Sequence, residues 1–159
     1  MEQVRVRIGD DEILVSWHPP DLPPDGQRHG AEGICVTDGG EVVVISRDGQ
    51  RWEFPAGRRE GDETWEQTLR REVREEACAT VVRARLLGFS RGEYIAGRQA
   101  GCVLVRSLWR ADVTLDPWDP RHEIPFRRVV AAADVARQLD IARHPFAPIV
   151  RRAMREARI

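Results

Sequence analysis

Three glutamates, Glu72, Glu75 and Glu76, are the residues whose spacing has the clearest chemical meaning. Side chains at positions i, i+3 and i+4 project from one face of an α-helix. Three neighbouring carboxylates repel one another, so protonation, arginine pairing or a divalent cation must offset their charge. Mg²⁺ prefers oxygen ligands and often bridges carboxylates to substrate phosphates. Such a face is therefore suited to metal-assisted phosphoryl or pyrophosphoryl chemistry.

The same helix also fits a structural alternative, in which its glutamates pair with its own arginines and face solvent. Surface ion pairs of this kind each contribute little stability. Under this alternative the chain is an interaction domain, and Mg²⁺ or Mn²⁺ leaves its thermal stability unchanged.

A helix over residues 64–78 is predicted because apolar residues recur there at every fourth position. The members of this stripe are Trp65, Leu69, Val73 and Ala77. Thr64 and Gln67 have the spacing of a capping box at the start of the helix. The face that carries Glu72, Glu75 and Glu76 is called the acidic face. The apolar stripe lies on an adjacent face of the helix, so the acidic face borders the core.

The rest of the chain is predicted to form strands and two further helices. Strands are predicted at 4–8, 12–17, 31–36, 41–46, 52–54, 81–89, 101–111 and 124–130, and helices at 132–139 and 144–157. The stretches 18–30 and 90–100 are predicted to be loops because of their prolines and glycines. This order of elements predicts an α/β domain that has a mixed sheet with helices on its faces.

Composition excludes several functions. All 25 Lys and Arg positions are arginine, so chemistry that needs a Schiff-base, P-loop or general-base lysine is absent. The formal charge of −1 gives no global basic field, so no nucleic-acid partner is expected. No apolar run approaches the ~20 residues of a membrane span, and the first residues lack a signal-peptide layout. We therefore expect a cytoplasmic protein without a membrane partner.

The segment 57–79 resembles the Nudix box, G-x5-E-x7-R-E-U-x-E-E-x-G-U, in which U is a bulky aliphatic residue. The positions in register are Gly57, Glu63, Arg71, Glu72, Val73, Glu75 and Glu76. Cys78 stands where the family has glycine, and Ala79 stands at the final aliphatic position. That glycine often ends the helix in a left-handed conformation, which cysteine resists. We therefore expect a changed helix exit, with the acidic positions intact.

The resemblance implies a Nudix fold, a mixed β-sheet sandwiched between helices, in a single domain over residues 1–159. Within it we expect an N-terminal β-hairpin and proline-rich loop at 1–30, a core at 31–139 and a C-terminal helix at 140–159.

The resemblance also implies roles for residues of the box. Glu72, Glu75 and Glu76 would bind the divalent metal ions, Mg²⁺ or alternatively Mn²⁺. Glu72 is also a candidate for positioning the attacking water. Arg71 would orient a carboxylate of the box, and Glu63 would support the junction of loop and helix.

Further roles fall on residues around the box. Gly57 would let the loop backbone approach metal or phosphate, and the Ala56 carbonyl is a candidate metal ligand. In this family an acidic residue from a later loop often serves as metal ligand or base. Glu123 is the candidate for that role and Glu93 is the alternative, while an ordinary exposed glutamate is the competing interpretation of Glu123.

Three residues are candidates for substrate binding. Tyr94 would stack on a base, Trp52 would line a base pocket, and Arg58 would clamp a phosphate. The structural alternatives are a loop tyrosine, a core tryptophan and a solvated arginine.

The function implied by the resemblance is Mg²⁺-dependent hydrolysis of a pyrophosphate bond in a nucleoside diphosphate linked to another moiety. NTPs, NDP-sugars and dinucleotides are the substrate types considered. The alternative is a catalytically inactive Nudix-fold regulator that binds a nucleotide. A small-molecule nucleotide is the expected partner, and the family suggests a homodimer.

Overall fold

The computed structural model describes residues 2–159. Its strands are β1 (Gln3–Ile8), β2 (Asp11–His18), β3 (Gln27–Val36), β4 (Val42–Ser46), β5 (Trp52–Glu53), β6 (Ala56–Arg58), β7 (Ala79–Ala96), β8 (Val103–Leu115) and β9 (Phe126–Val130). Its α-helices are α1 (Trp65–Ala77), α2 (Val135–Gln138) and α3 (Ala147–Ala157), and 3₁₀ turns lie at Ala132–Asp134 and Ile141–Arg143. None of the helices in residues 2–159 has the length and apolar character of a membrane span.

The strands form one sheet, whose main order is β1-β2-β7-β8-β3-β4-β5. In addition β6 pairs with β3, and β9 pairs with β4. The β3–β8 pair is parallel, whereas β1–β2, β2–β7, β7–β8 and β3–β4 are antiparallel, so the sheet is mixed. The predicted α/β fold is confirmed. The N-terminal hairpin belongs to this sheet because β2 pairs with β7.

The two faces of the sheet carry separate hydrophobic cores, because side chains alternate along each strand. On β3, Ile34 and Val36 lie in the core that contains residues of α3. Ala31 and Cys35 lie in the core that contains residues of α1. The two longer helices therefore cover opposite faces of the sheet, as the sandwich prediction requires.

Two predicted loops contain strand residues, and pairing explains both differences. The prediction of a loop at 90–100 is wrong in its first half, because β7 continues to Ala96. Ser90, for example, pairs with Trp17 on one side and with Arg106 on the other. The predicted loop at 18–30 ends earlier than expected, because β3 begins at Gln27 in parallel register with Leu104.

Two helix predictions also needed correction. The predicted helix at 132–139 is a 3₁₀ turn followed by α2, which has only four residues. The predicted helix at 144–157 begins only at Ala147, with a proline in its first turn. Proline is tolerated there because the first helical N–H groups have no intrahelical partner. The short strand β6 was not predicted.

Candidate active site

The acidic residues are carried by α1, whose start is fixed by Thr64. The Thr64 hydroxyl accepts a hydrogen bond from Gln67 N at 3.2 Å, and the Gln67 side chain accepts one from Thr64 N at 2.9 Å. These bonds form the predicted capping box. Leu69 and Val73 are buried against the sheet, and a Cβ at Gly33 of β3 would lie 2.7 Å from Leu69 Cδ1. The helix is therefore seated directly on the strand that runs beneath it.

The end of α1 contradicts the expectation of a changed helix exit. Cys78 itself takes the left-handed conformation, with φ 48° and ψ 53°. Its thiol donates a hydrogen bond to the Asp119 carbonyl at 3.4 Å. Arg127 Nη1 donates to the carbonyls of Ala77, Cys78 and Asp116 at 2.9, 3.0 and 3.0 Å. These contacts hold the exit against a steric cost of ~1–2 kcal/mol for a non-glycine residue.

Arg71 is the centre of the polar network beside the helix. Its Nε and Nη2 donate to the two carboxylate oxygens of Glu63 at 2.8 and 3.0 Å. Nη1 donates to Glu72 at 2.6 Å and to Glu75 at 3.2 Å, and Nη2 also donates to the Arg58 carbonyl at 2.7 Å. The bidentate hydrogen bonds from Arg71 lower the pKa of Glu63 to about 2. One guanidinium thus ties the preceding loop to two glutamates of the acidic face.

Gly57 lies where the backbone before α1 passes close to Glu72. A Cβ at this position would collide with the carboxylate of Glu72. Burial raises the pKa of Glu72, and the hydrogen bond from Arg71 opposes that shift. The position therefore has a steric reason for glycine, beyond any approach of metal or phosphate.

Glu76 is the most buried of the three glutamates, with 8% of its side chain exposed. Its Oε1 accepts a hydrogen bond from Ala56 N at 2.7 Å. Burial raises the pKa of Glu76 to about 7, and the hydrogen bond from Ala56 opposes this shift. A carboxyl group in this environment is stabilised in its charged form by a nearby cation.

Arg47, which follows β4, is a site residue that sequence reasoning missed. Its guanidinium lies 2.8 Å from Glu123, 3.4 Å from Glu76 and 3.8 Å from Glu53. Glu123 thereby reaches the edge of the acidic face through a shared arginine, although 85% of its side chain is exposed. Arg47 is 29 positions from Glu76 and 76 from Glu123, so no local pattern could have joined them.

Glu93, the alternative to Glu123, lies elsewhere on β7. Its carboxylate accepts a hydrogen bond from Arg91 at 3.3 Å, and Arg91 also binds Asp25. Within residues 2–159, none of its hydrogen bonds or ion pairs joins it to the acidic face. The structure therefore connects Glu123, and not Glu93, with the acidic face, through Arg47 and Glu76.

The three substrate candidates lie in different places. Tyr94 is on β7 and lines a cavity on the α3 face of the sheet. Trp52 is buried outside that cavity, and the guanidinium of Arg128 lies 4.2 Å from its ring centroid. The Arg58 side chain is exposed, while its carbonyl binds Arg71. The structure does not bring these three residues together.

The acidic face fits a metal ion that is only partly enclosed by protein. Within residues 2–159, no three histidine, cysteine, aspartate or glutamate side chains are arranged to hold a metal by themselves. Mg²⁺ commonly binds through one or two carboxylates, with waters and substrate phosphates completing its shell. The buried Glu76 carboxylate and the glycine clearance beside Glu72 are consistent with that kind of site.

The chain belongs to the Nudix family. The NUDIX domain model matches residues 27–153, which include the box and extend through both cores. The family predicted from segment 57–79 is therefore confirmed.

One relative is similar to part of this chain in sequence, and two solved structures are similar to it in fold. An RNA pyrophosphohydrolase from Marinomonas sp. (strain MWYL1) is 35% identical over 72 residues, which are 45% of this chain and 45% of that protein. The match thus spans less than half the length of that relative.

Two solved structures show the same fold. The Bacillus subtilis pyrophosphohydrolase BsRppH has a TM-score of 0.72 at 18% identity, and the match covers 99% of this chain and 96% of that chain. The NUDIX domain of Shewanella oneidensis NrtR, solved with ADP ribose, has a TM-score of 0.57 at 17% identity, with coverages of 87% and 90%.

Proposed function

We propose that this chain hydrolyses a pyrophosphate bond in a nucleoside diphosphate linked to another moiety, with Mg²⁺, or alternatively Mn²⁺, as the metal. The acidic face of α1 carries the proposal. Arg71 holds Glu72 and Glu75, and the Ala56 N–H holds Glu76. The three carboxylates are therefore oriented by donors from outside the cluster, and their mutual repulsion leaves a place where a cation is favoured.

The proposed roles follow from these contacts. Glu72, Glu75 and Glu76, with the Ala56 carbonyl, are the proposed ligands of the metal, and waters and substrate phosphates would complete its shell. When bound, the metal polarises the phosphate and lowers the pKa of the attacking water. Arg71 keeps two of the carboxylates in one orientation.

Glu63 and Glu123 would act at the margins of the site. Glu63 fixes the guanidinium of Arg71 by a bidentate pair, which makes Glu63 a positioning residue. Glu123, joined to Glu76 through Arg47, is the candidate for accepting a proton from the water. Arg58 would contact a phosphate, and Tyr94 or Trp52 a base.

Glu76→Gln tests the proposal. We expect this variant to keep its fold and to lose turnover by at least about 100-fold, because an uncharged amide is a poor substitute at this position. Glu66→Gln is the matched control, since Glu66 lies on the same helix but pairs with Arg70. Product release would be measured with Mg²⁺ on NTPs, NDP-sugars, ADP-ribose and dinucleoside polyphosphates, and circular dichroism would verify folding. Full activity of Glu76→Gln would refute the proposed site.

Metal titration separates the proposal from the interaction-domain alternative. A ligand that binds the folded state raises its stability by mass action. We expect Mg²⁺ or Mn²⁺ to raise the melting temperature of the wild-type chain, and to raise that of Glu76→Gln less. No shift in the wild type would favour the interaction domain.

RNA is a second candidate substrate, because the partial relative is named an RNA pyrophosphohydrolase. The net charge of −1 argues for a small nucleotide instead. A triphosphorylated oligoribonucleotide, compared with the free NTP under the same conditions, discriminates between them. Faster release of pyrophosphate from the RNA would identify RNA as the preferred substrate.

A nucleotide-binding regulator without turnover is the other class of function. The NrtR domain was solved with ADP ribose, which makes ADP-ribose a suitable probe. Binding of ADP-ribose without hydrolysis of any member of the panel would favour the regulator. A cytoplasmic location, a homodimer and domain divisions near residues 30 and 139 stay predictions.

A further inference from the structure

A second concave region lies on the α3 face of the sheet. It is a cavity of about 260 Å³, near the lower limit of roughly 300 Å³ for small-molecule sites. Most of its wall is apolar and comes from β2, β8 and α3. Two partly buried rings, Tyr94 and Phe146, form part of that wall. The size and lining suit one planar heterocycle.

Glu32 of β3 contributes a carboxylate to this mostly apolar wall. In the part of the chain that the structure describes, its side chain takes part in no hydrogen bond and no ion pair within 4.0 Å. Burial raises the pKa of Glu32, and the nearby Arg106 opposes that shift from a distance. Glu32 is partly buried. Carboxylates that are withdrawn from water are usually paired, so this one has acceptor capacity that the protein leaves unused.

The other polar groups around the cavity do not satisfy Glu32. His29 and His144 also line it, and burial lowers the pKa of each imidazole, which favours their neutral forms. The remaining neutral polar side chains of the wall are Ser90, Tyr94 and Trp109, and the Trp109 N–H already donates to Ser107. Arg106 is the cation of the wall and stays outside ion-pair distance. A ligand with hydrogen-bond donors would supply a partner for Glu32.

The cavity and the acidic face of α1 lie on opposite faces of the sheet, and the β3–β6 pair connects them. Glu32 pairs in register with Ala56 of β6, and the Ala56 N–H binds Glu76. The Glu53 carboxylate raises the pKa of both Glu32 and Glu76, so it lies within electrostatic range of both. A substrate that spans the β3–β6 pair would have its pyrophosphate at the acidic face and its base in the cavity.

We propose that the cavity binds guanine, with Glu32 accepting hydrogen bonds from the N1–H and the 2-amino group. This rests on the proposed function, since it assigns the base of the same substrate. A carboxylate only accepts hydrogen bonds, and guanine offers two adjacent donors on one edge. Adenine presents a donor beside an acceptor, and hypoxanthine lacks the amino group. Tyr94 and Phe146 would contact the plane of the base, which aromatic rings do without regard to its identity.

Binding of GMP, IMP and AMP without metal tests the assignment independently of turnover. We expect calorimetry to show GMP bound about 10-fold or more tightly than IMP and AMP, because a charged acceptor contributes strongly to each bond. Glu32→Gln should weaken GMP about 10- to 100-fold and shift the preference toward AMP, since an amide both donates and accepts. Glu32→Asp should lie between the two, because it keeps the charge but shortens its reach.

Glu41→Gln is the matched control, because Glu41 is an exposed glutamate in the turn before β4. It should bind the three nucleotides as the wild type does, and thermal melting would verify that each variant folds. Equal affinities for the three monophosphates, no GMP binding at millimolar concentration, or an unchanged Kd in folded Glu32→Gln would each overturn the assignment.

Hydrolysis of GTP, ITP and ATP with Mg²⁺ separates this inference from the proposed function. Turnover of all three at equal kcat/KM would overturn the guanine assignment while the pyrophosphohydrolase proposal stands. Tight GMP binding without turnover of any nucleotide would support the guanine assignment and contradict the pyrophosphohydrolase proposal. It would favour a guanine-nucleotide-binding regulator.

Discussion

The acidic face of α1 and the cavity on the α3 face both contain partly buried carboxylates, but their charge is balanced in different ways. On the acidic face Arg71, Arg47 and the Ala56 N–H supply donors to the glutamates. In the cavity, Glu32 has no such donor among residues 2–159. The first arrangement fixes the orientation of charged groups before any ligand arrives. The second leaves hydrogen-bonding capacity that a ligand can use, so the two regions should respond differently to mutation.

Loss of Arg71 should have the largest effect on stability. Arg71→Ala removes the donor of Glu63, Glu72 and Glu75 together. We expect the free energy of unfolding to fall by about 3 kcal/mol, because partly buried carboxylates are left unpaired. Urea denaturation would measure the change, with Arg71→Lys as a control that keeps the charge but not the bidentate geometry.

The lysine variant should recover only part of the loss. Equal stability of the alanine variant and the wild type would show that the arginine does not hold the acidic face, and the contrast with the cavity would then fail.

Replacing Glu63 should have a smaller and pH-dependent effect. Glu63→Gln loses the charge of the bidentate pair, so we expect the free energy of unfolding at neutral pH to fall by about 1–2 kcal/mol. Arg71 lowers the pKa of Glu63 from 4.5 to about 2. The stabilisation is therefore complete above the unfolded-state pKa and disappears as the pH falls through the folded-state value.

Urea denaturation at neutral pH and at about pH 2 would measure how the stabilisation by Glu63 depends on pH. The difference between wild type and Glu63→Gln should shrink as the pH falls. A difference that stays constant over this range would assign the effect to packing rather than to charge.

At the exit of α1, Cys78 combines a strained left-handed backbone with a thiol hydrogen bond that offsets part of the strain. Cys78→Gly should raise the free energy of unfolding by about 0.5–1 kcal/mol, since glycine adopts the left-handed conformation without steric cost. Cys78→Ala keeps the strain and loses the thiol hydrogen bond, so it should lower stability. Thermal melting of the pair would decide, and a glycine variant less stable than the wild type would show that the thiol contact outweighs the strain.

The features that could be predicted from sequence depend on local periodicity. The α1 helix, its capping box and its glutamates follow from spacing within about four residues, which fixes the side-chain direction. The structure pairs Arg71 with Glu63 directly, while the roles that the resemblance implied for them stay predictions. These predictions needed no knowledge of which strands pair.

The features that sequence reasoning missed depend on contacts between distant segments. Arg47 and Arg127 join α1 to turns and strands far along the chain. The strand character of residues 90–96 comes from pairing with β2 and β8, not from their own composition. Glu32 looked like an ordinary strand residue, because only the packing of α3 and β8 around it creates the cavity.

The smallest expected effect on the stability of the protein comes from replacing Glu32 in the cavity. Glu32→Gln should raise the free energy of unfolding at neutral pH by about 0.5 kcal/mol, because an unpaired, partly buried carboxylate in a mostly apolar wall has a cost. Burial raises the pKa of Glu32, so the folded state binds its proton more readily than the unfolded state. The cost is therefore present above the folded-state pKa and absent below the unfolded-state value.

The gain from Glu32→Gln should thus vanish in acid, the reverse of Glu63→Gln, whose loss is largest at neutral pH. Urea denaturation of both variants at the same two pH values makes the comparison direct. A loss of stability in Glu32→Gln at neutral pH would show that the carboxylate already has a partner within the protein. The cavity and the acidic face would then both balance their carboxylates with donors of the protein.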